Sequence, residues 1–175
     1  RTPGRSGAWT IEAMGAEPVS LPVPAVPESM AKGVIDSALT TYEIVPALKL
    51  QELEKYTAEL PNGDRFGTAV FMVAMNQDAY DALPDDLKAV IDANSTVNVA
   101  AEIGQMWENF EVEGIAALDA AGVTRTVFSA EEGAKFDAAN DTVVTRWIDE
   151  VSSKGIDGAA LVDAARAAVA KAEAQ

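Results

Sequence analysis

The 175 residues include 49% apolar and 23% charged side chains, a balance that builds a core and stays in water. It describes neither a disordered nor a membrane-spanning chain. Thirteen Lys and Arg against 28 Asp and Glu leave a formal charge of −15, which repels phosphate backbones and anionic lipid and argues against nucleic-acid or membrane-surface binding. There is no His and no Cys, so no Ser-His or Cys-His nucleophile, thiolate metal site or disulfide can be built, and the redox compartment is left open.

No apolar run approaches the roughly 20 residues that cross a bilayer, and the length suits one domain or two small lobes. The sequence begins at Arg1 rather than Met and no charged-then-apolar signal precedes it, so an N-terminal portion is expected to be missing.

Five prolines within the first 27 residues (Pro3, Pro18, Pro22, Pro24 and Pro27) require short, sharply bounded elements. Residues 8–14 predict a helix ended by Gly15, 19–21 a brief strand, and 27–32 a second helix closed by Gly33. Residues 34–39 then read as a mostly apolar strand covered on both faces. Strand, helix and strand in alternation predict an α/β layer with a parallel sheet. Residues 42–54 predict a helix interrupted at Pro46, 55–60 can extend, and Pro61-Asn62-Gly63-Asp64 is a turn signal.

Residues 68–75, Thr-Ala-Val-Phe-Met-Val-Ala-Met, form the most apolar run and predict a central buried strand. From Pro84 to Ala121 a helical spacing runs unbroken by proline. As one helix it would extend about 55 Å at 1.5 Å per residue, so it should run across two bodies or break near Gly104 or Gly114. Residues 123–128 are β-rich. Ser129 and Glu132 have capping-box spacing ahead of a helix that Lys154-Gly155 stops, and Asp157 opens a last, Ala-rich helix to about Ala172.

Little of this carries chemistry by itself. Gly4-Arg5-Ser6-Gly7 has neither dinucleotide nor phosphate-loop spacing and reads as a turn. The carboxylate pairs Asp85/Asp86 and Glu131/Glu132 stand at predicted helix starts, where they complement the dipole without doing chemistry. Asn94-Ser95-Thr96 matches a glycosylation triplet inside a predicted helix. Arg1 and Arg5 flank a turn beside a parallel-sheet strand, and a guanidinium can grip a carboxylate with two parallel hydrogen bonds; a salt-bridged or solvated arginine is the competing reading. Thr40, Thr41 and Tyr42 follow the C-terminal end of an apolar strand, where open α/β sheets usually hold ligands, and a plain loop is the competing reading there.

Arg1-Thr2-Pro3, Met14-Gly15-Ala16-Glu17-Pro18-Val19, Leu21-Pro22 and Gly33-Val34-Ile35-Asp36 together resemble the solute-binding subunits of tripartite ATP-independent periplasmic (TRAP) transporters, the DctP family. Asn76, Tyr80, Leu83-Pro84 and Leu87 resemble that family's approach to its long helix. Ser37 stands where the family usually has Gly. The likeness covers nearly the whole chain but only the back half of a family member.

The resemblance implies an α/β fold of the two-lobed periplasmic-binding-protein type (type II), with a long helix crossing both lobes, present as a C-terminal fragment. Residues 1–66 would open the second lobe, 67–114 return into the first, and 115–175 complete the second. It implies a periplasmic receptor, its signal peptide removed, that captures a small organic acid in an interlobe cleft and delivers it to membrane permease subunits. It implies no enzyme activity, no cofactor and no metal, and it makes the N-terminal remainder of the same protein a partner.

The family's carboxylate clamp maps onto Arg1, with Arg5 close by in sequence. The aromatic that follows the Gly-Ala-x-Pro segment maps near Val23, where it is lost. Thr40 takes a position often held by Asn, Thr41 and Tyr42 line the same wall, and Phe66 and Gly67 lie beside the cleft at a hinge crossing. The rival reading, a hydrolase or lyase built on acidic residues, needs two converging carboxylates with perturbed pKa values.

Overall fold

Three backbone segments come together around the first two residues. In the computed structural model, which describes residues 1–63, 65–67 and 70–173, the Thr2 amide donates to Val19 O at 3.1 Å and the Leu39 amide donates to Arg1 O at 2.9 Å. The Arg1 amino nitrogen donates to Ser37 O at 2.6 Å, and Thr2 forms a parallel bridge with Ser20. The predicted parallel layer is therefore present as single hydrogen-bonded contacts, with 1–2 lying between 19–21 and 37–39. Neither 19–21 nor 34–39 forms a regular strand, because prolines and turns leave each segment only one or two residues of pairing.

By internal contacts the chain divides into two units. Unit 1 comprises residues 1–39, 58–66 and 126–175, and unit 2 comprises 40–57 and 67–125. The lobes expected from the sequence place 40–57 and 115–125 with unit 1 instead.

In unit 1, helix α1 (Arg5–Ala13) packs on α7 (Ala130–Ser152). The Gly4–Gly7 stretch is not a turn. Gly4 is extended and precedes the helix, and Arg5 to Gly7 form its first turn. Trp9 is the buried anchor of this packing. The Arg146 guanidinium lies 4.3 Å from its ring centroid and that of Arg5 lies 5.1 Å away, an arrangement in which the ring quadrupole attracts both cations. Each cation also has a carboxylate: Arg5 pairs with Glu150 at 2.7 Å and Arg146 with Glu12 at 2.9 Å. Lys154, and Arg5 beyond it, hold the Glu150 carboxyl below the usual carboxylate range.

Helix α2 (Val26–Ala31) is preceded by a 3₁₀ turn, Val23–Ala25, and contributes the fully buried Val26. Gly15 and Gly33 end α1 and α2 with φ of 80° and 66°, as the sequence predicts for left-handed caps. The capping box is formed: the Glu132 amide donates to Ser129 Oγ at 3.2 Å, and the Ser129 amide donates to Glu132 Oε2 at 2.9 Å. Helix α8 (Gly158–Glu173) packs on α7.

In unit 2, the expected helix over 42–54 is three short pieces: a 3₁₀ turn Tyr42–Ile44, helix α3 (Val45–Leu48) and a 3₁₀ turn Leu50–Glu52. The break falls at Lys49, whose φ is 53°, and not at Pro46. Pro46 sits in the first turn of α3, where its missing N–H costs nothing.

The helical stretch beyond Pro84 breaks neither at Gly104 nor at Gly114. Helix α5 (Asp85–Ala93) follows a short α4 (Gln77–Asp81), and α6 (Val97–Ala120) starts anew where the Thr96 hydroxyl accepts from the Val99 amide. Ser95 and Thr96 compete for local backbone bonds and prefer the cap to the helix interior. At 24 residues α6 is about 36 Å long, and it lies wholly in unit 2. Val45, Leu50, Leu118 and Val123 form the unit 2 core.

Strands β1 (Tyr56–Glu59) and β2 (Thr124–Val127) pair with each other. The Thr124 amide donates to Lys55 O and the Phe128 amide to Glu59 O; the register advances equally on both strands, so they run parallel. The unit boundary cuts through both.

The predicted central strand over 68–75 is overturned for its described part, Thr68 and Ala69 lying outside the described residues. Residues 70–76 form no strand, and Val70, Phe71, Met72, Val73 and Met75 are exposed. A strand is defined by a neighbour that accepts its hydrogen bonds, and among the described residues this segment has none. Its Phe71 ring stacks on Trp107 with centroids 4.7 Å apart.

Replacing Trp9 by Ala should cost about 3–5 kcal/mol of stability, and Trp9→Phe, which keeps an aromatic face, clearly less. Urea unfolding of the full-length protein checks both. A loss below about 1 kcal/mol for Trp9→Ala would mean that the double-cation ring does not hold α1 to α7.

Candidate ligand-binding site

Arg1 enters unit 1 with its backbone paired on both sides, and two carbonyls orient its side chain. Nε donates to Leu21 O at 3.1 Å and one terminal nitrogen, Nη1, donates to Leu39 O at 3.0 Å. A guanidinium has five N–H donors in a fixed plane. Two are taken, one on Nε and one on Nη1, which leaves the second N–H of Nη1 and both of Nη2 for a ligand such as a carboxylate.

Among the described residues no carboxylate pairs with Arg1. The side chain is half-buried, and loss of hydration pushes its pKa down from the ordinary value, although an arginine stays charged at any physiological pH. The arrangement is a fixed, partly desolvated positive charge without a counter-charge, which is the physical requirement for holding a small anion.

Arg5 is placed differently: its guanidinium is committed to Glu150 and to the ring of Trp9, whereas that of Arg1 is held by the Leu21 and Leu39 carbonyls. Val23 begins the 3₁₀ turn two residues beyond Leu21 and is partly exposed.

Thr40, Thr41 and Tyr42 belong to unit 2, where the chain continues directly from Leu39. The Thr41 hydroxyl donates to the Glu43 carboxylate. The Tyr42 backbone lies against α6 so closely that a Cβ on Gly114 would come within 1.9 Å of Tyr42 O; only glycine allows this approach. Phe66 closes an aromatic cluster in unit 1, edge-on to Phe136 at 5.0 Å and to Phe128 at 6.1 Å, while Pro61 packs on Gly133 of α7. Gly67 is exposed and no neighbour demands a glycine there.

The sequence points to Arg1 as a candidate but not to what holds it. The Leu21 and Leu39 carbonyls belong to the backbone and leave no residue-type signal. Gly114 carries a signal, a glycine inside a long helix, but the sequence offers it only as one possible break, and the structure shows a close contact with Tyr42 there.

A groove of about 430 Å³ in unit 2 is lined by Pro46, Ile103, Met106, Trp107 and Phe110, with Glu43 and Glu113 at its edge. It has no cationic group and offers an anion nothing. Among the described residues no cluster of His, Cys, Asp and Glu is suited to a metal ion, and no helix is long and apolar enough to cross a membrane.

Arg1 is thus a partly buried arginine at the ends of short parallel segments, with no counter-charge among the described residues. The family model of bacterial extracellular solute-binding proteins, family 7 (DctP), matches residues 1–150, and the chain belongs to that family.

Among solved structures it is similar to a marine metagenome TRAP solute-binding protein specific for aromatic acid ligands, in complex with 3-hydroxybenzoate. The identity is 34% and the TM-score 0.87, over 98% of this chain and 53% of that one. It is also similar to a TRAP solute-binding protein from Rhodoferax ferrireducens in complex with copurified benzoate, with 33% identity and a TM-score of 0.86 over 98% and 53% of the two chains. A TRAP periplasmic solute-binding protein from Desulfovibrio salexigens matches at 26% identity and a TM-score of 0.68, over 89% and 48%. The chain thus spans about half the length of the solved structures it matches and has their fold over that half.

Gly114→Ala should force Tyr42 and α6 apart and destabilise the protein by about 3 kcal/mol, whereas Gly104→Ala, with nothing near its Cβ, should be neutral or slightly stabilising. Thermal unfolding of the two variants checks this. Equal melting temperatures would show that the contact with Tyr42 does not require glycine.

Proposed function

We propose that this chain is the anion-anchoring part of a TRAP-transporter receptor, that its ligand is a small carboxylate, and that an aromatic acid is the preferred class. The observation that carries the proposal is the Arg1 side chain, clasped by the carbonyls of Leu21 and Leu39 with both N–H groups of Nη2 uncommitted among the described residues. The aromatic-acid class draws support from the relatives at 33–34% identity, whose structures contain benzoate and 3-hydroxybenzoate.

In this reading the protein works in the periplasm, performs no chemistry on its ligand and hands it to the membrane permease subunits. Val23, Thr40, Thr41, Tyr42, Phe66 and Gly67 are proposed as further contacts, supported by the family resemblance. Arg5 is left out because Glu150 and Trp9 already occupy it. The exposed apolar run 70–75 is proposed to be covered by the remainder of a longer polypeptide, since the relatives are nearly twice as long as this chain.

Isothermal titration of the full-length protein with benzoate, 3-hydroxybenzoate and succinate tests the reading. Stoichiometric binding of at least one acid is expected, without product formation, and the aromatic acids should bind tighter than succinate. Arg1→Lys should weaken the best ligand about 10- to 100-fold, because lysine replaces a planar fork with a point charge. Unchanged affinity in that variant would remove Arg1 from the site, and tighter binding of succinate would overturn the aromatic preference.

A further inference from the structure

Gly7 is a glycine in the first turns of α1, where an alanine would ordinarily be about 1 kcal/mol more favourable. It is not needed for backbone conformation, because its φ is not positive. What it provides is space. A Cβ at this position would lie 2.5 Å from Thr2 Oγ1, 3.3 Å from Pro3 Cδ and 3.7 Å from Leu39 Cδ2, and the first of these distances is shorter than any real carbon–oxygen contact.

The atoms crowded against Gly7 are those that fix Arg1. Thr2 is its chain neighbour and is almost completely buried. Its amide donates to Val19 O, its hydroxyl to Gly4 O at 2.9 Å, and it bridges to Ser20. Moving it away would therefore break at least one of these bonds. Leu39 provides the carbonyl that accepts from the Arg1 guanidinium and the amide that donates to Arg1 O. A methyl group on Gly7 would meet Leu39 at ordinary van der Waals distance but would press on Thr2, the residue next to the arginine.

We propose that Gly7 is a positioning residue for the Arg1 guanidinium: its missing side chain lets α1 close on Thr2, so that the adjoining arginine presents its remaining donors in one orientation. This rests on Arg1 being the carboxylate anchor. Gly7 itself touches no ligand. The precision matters because a site that recognises both oxygens of a carboxylate must hold its donors to within about half an ångström. A displaced fork keeps the charge and loses the second hydrogen bond.

The test is benzoate affinity, by titration calorimetry on the full-length protein, in a cycle of variants. Gly7→Ala should weaken benzoate about tenfold or more, the scale of one hydrogen bond to a charged group. Removing the obstructed hydroxyl should rescue it, so Gly7→Ala combined with Thr2→Ala should bind within about threefold of Thr2→Ala alone. In an Arg1→Lys background, Gly7→Ala should produce no further loss, because the orientation it protects is already gone.

Wild-type affinity in Gly7→Ala, failure of Thr2→Ala to rescue, or an equal loss with and without Arg1 would each overturn the proposal. If the single variant does not fold, the double variant carries the test, and a deficit against Thr2→Ala would be decisive. Failure of the underlying reading looks different: there Arg1→Lys itself would leave benzoate binding unchanged.

Discussion

A positive charge held partly out of water, with no negative partner among the described residues, is the constraint on which the proposed site is built. Removing a charge from water is costly, and proteins normally compensate with an ion pair. This chain does so for Arg5, Arg146 and Lys154, each of which has a carboxylate. At Arg1 it uses two backbone carbonyls instead. Carbonyl dipoles stabilise and orient a guanidinium without cancelling its charge, so the residue keeps its attraction for an anion. The surplus of acidic residues elsewhere does not remove that attraction, since exposed charges beyond about 8 Å are screened at physiological salt.

Much of unit 1 can be understood as a mounting for that side chain. The parallel contacts of Arg1 and Thr2 with 19–21 and 37–39 fix the backbone, and Gly7 permits α1 to lie against Thr2. Trp9, approached by Arg5 of α1 and Arg146 of α7, ties the two helices together. Unit 2 uses the same device of a missing Cβ: at Gly114 the long helix accepts the backbone of Tyr42 at a separation that any side chain would prevent.

Sequence and structure agree where the signal is local. The caps at Gly15, Gly33, Ser129 and Gly155 depend on residues within a few positions of one another, and each lies where local chemistry places it. Arg1 was also legible, through a guanidinium's aptitude for carboxylates and through the family pattern around it. The failures are non-local. Nothing in residues 70–75 distinguishes a strand with neighbours from an extended run without them, because pairing partners are supplied from elsewhere in a chain. The start of α6 at Val97 was hidden by a helical spacing that continues through Asn94-Ser95-Thr96. The two carbonyls that hold Arg1 could not be read at all, since every residue has one.

The three phenylalanines of unit 1 have a mechanical consequence. Phe66 ends one segment of the unit and Phe128 lies near the start of the next, and both rings rest on Phe136, with Pro61 seated a turn earlier on Gly133. Two strands of the chain that leave and re-enter this body thus share a single footing at the base of α7. Loss of the Phe136 ring would therefore take away the support of both segments at once.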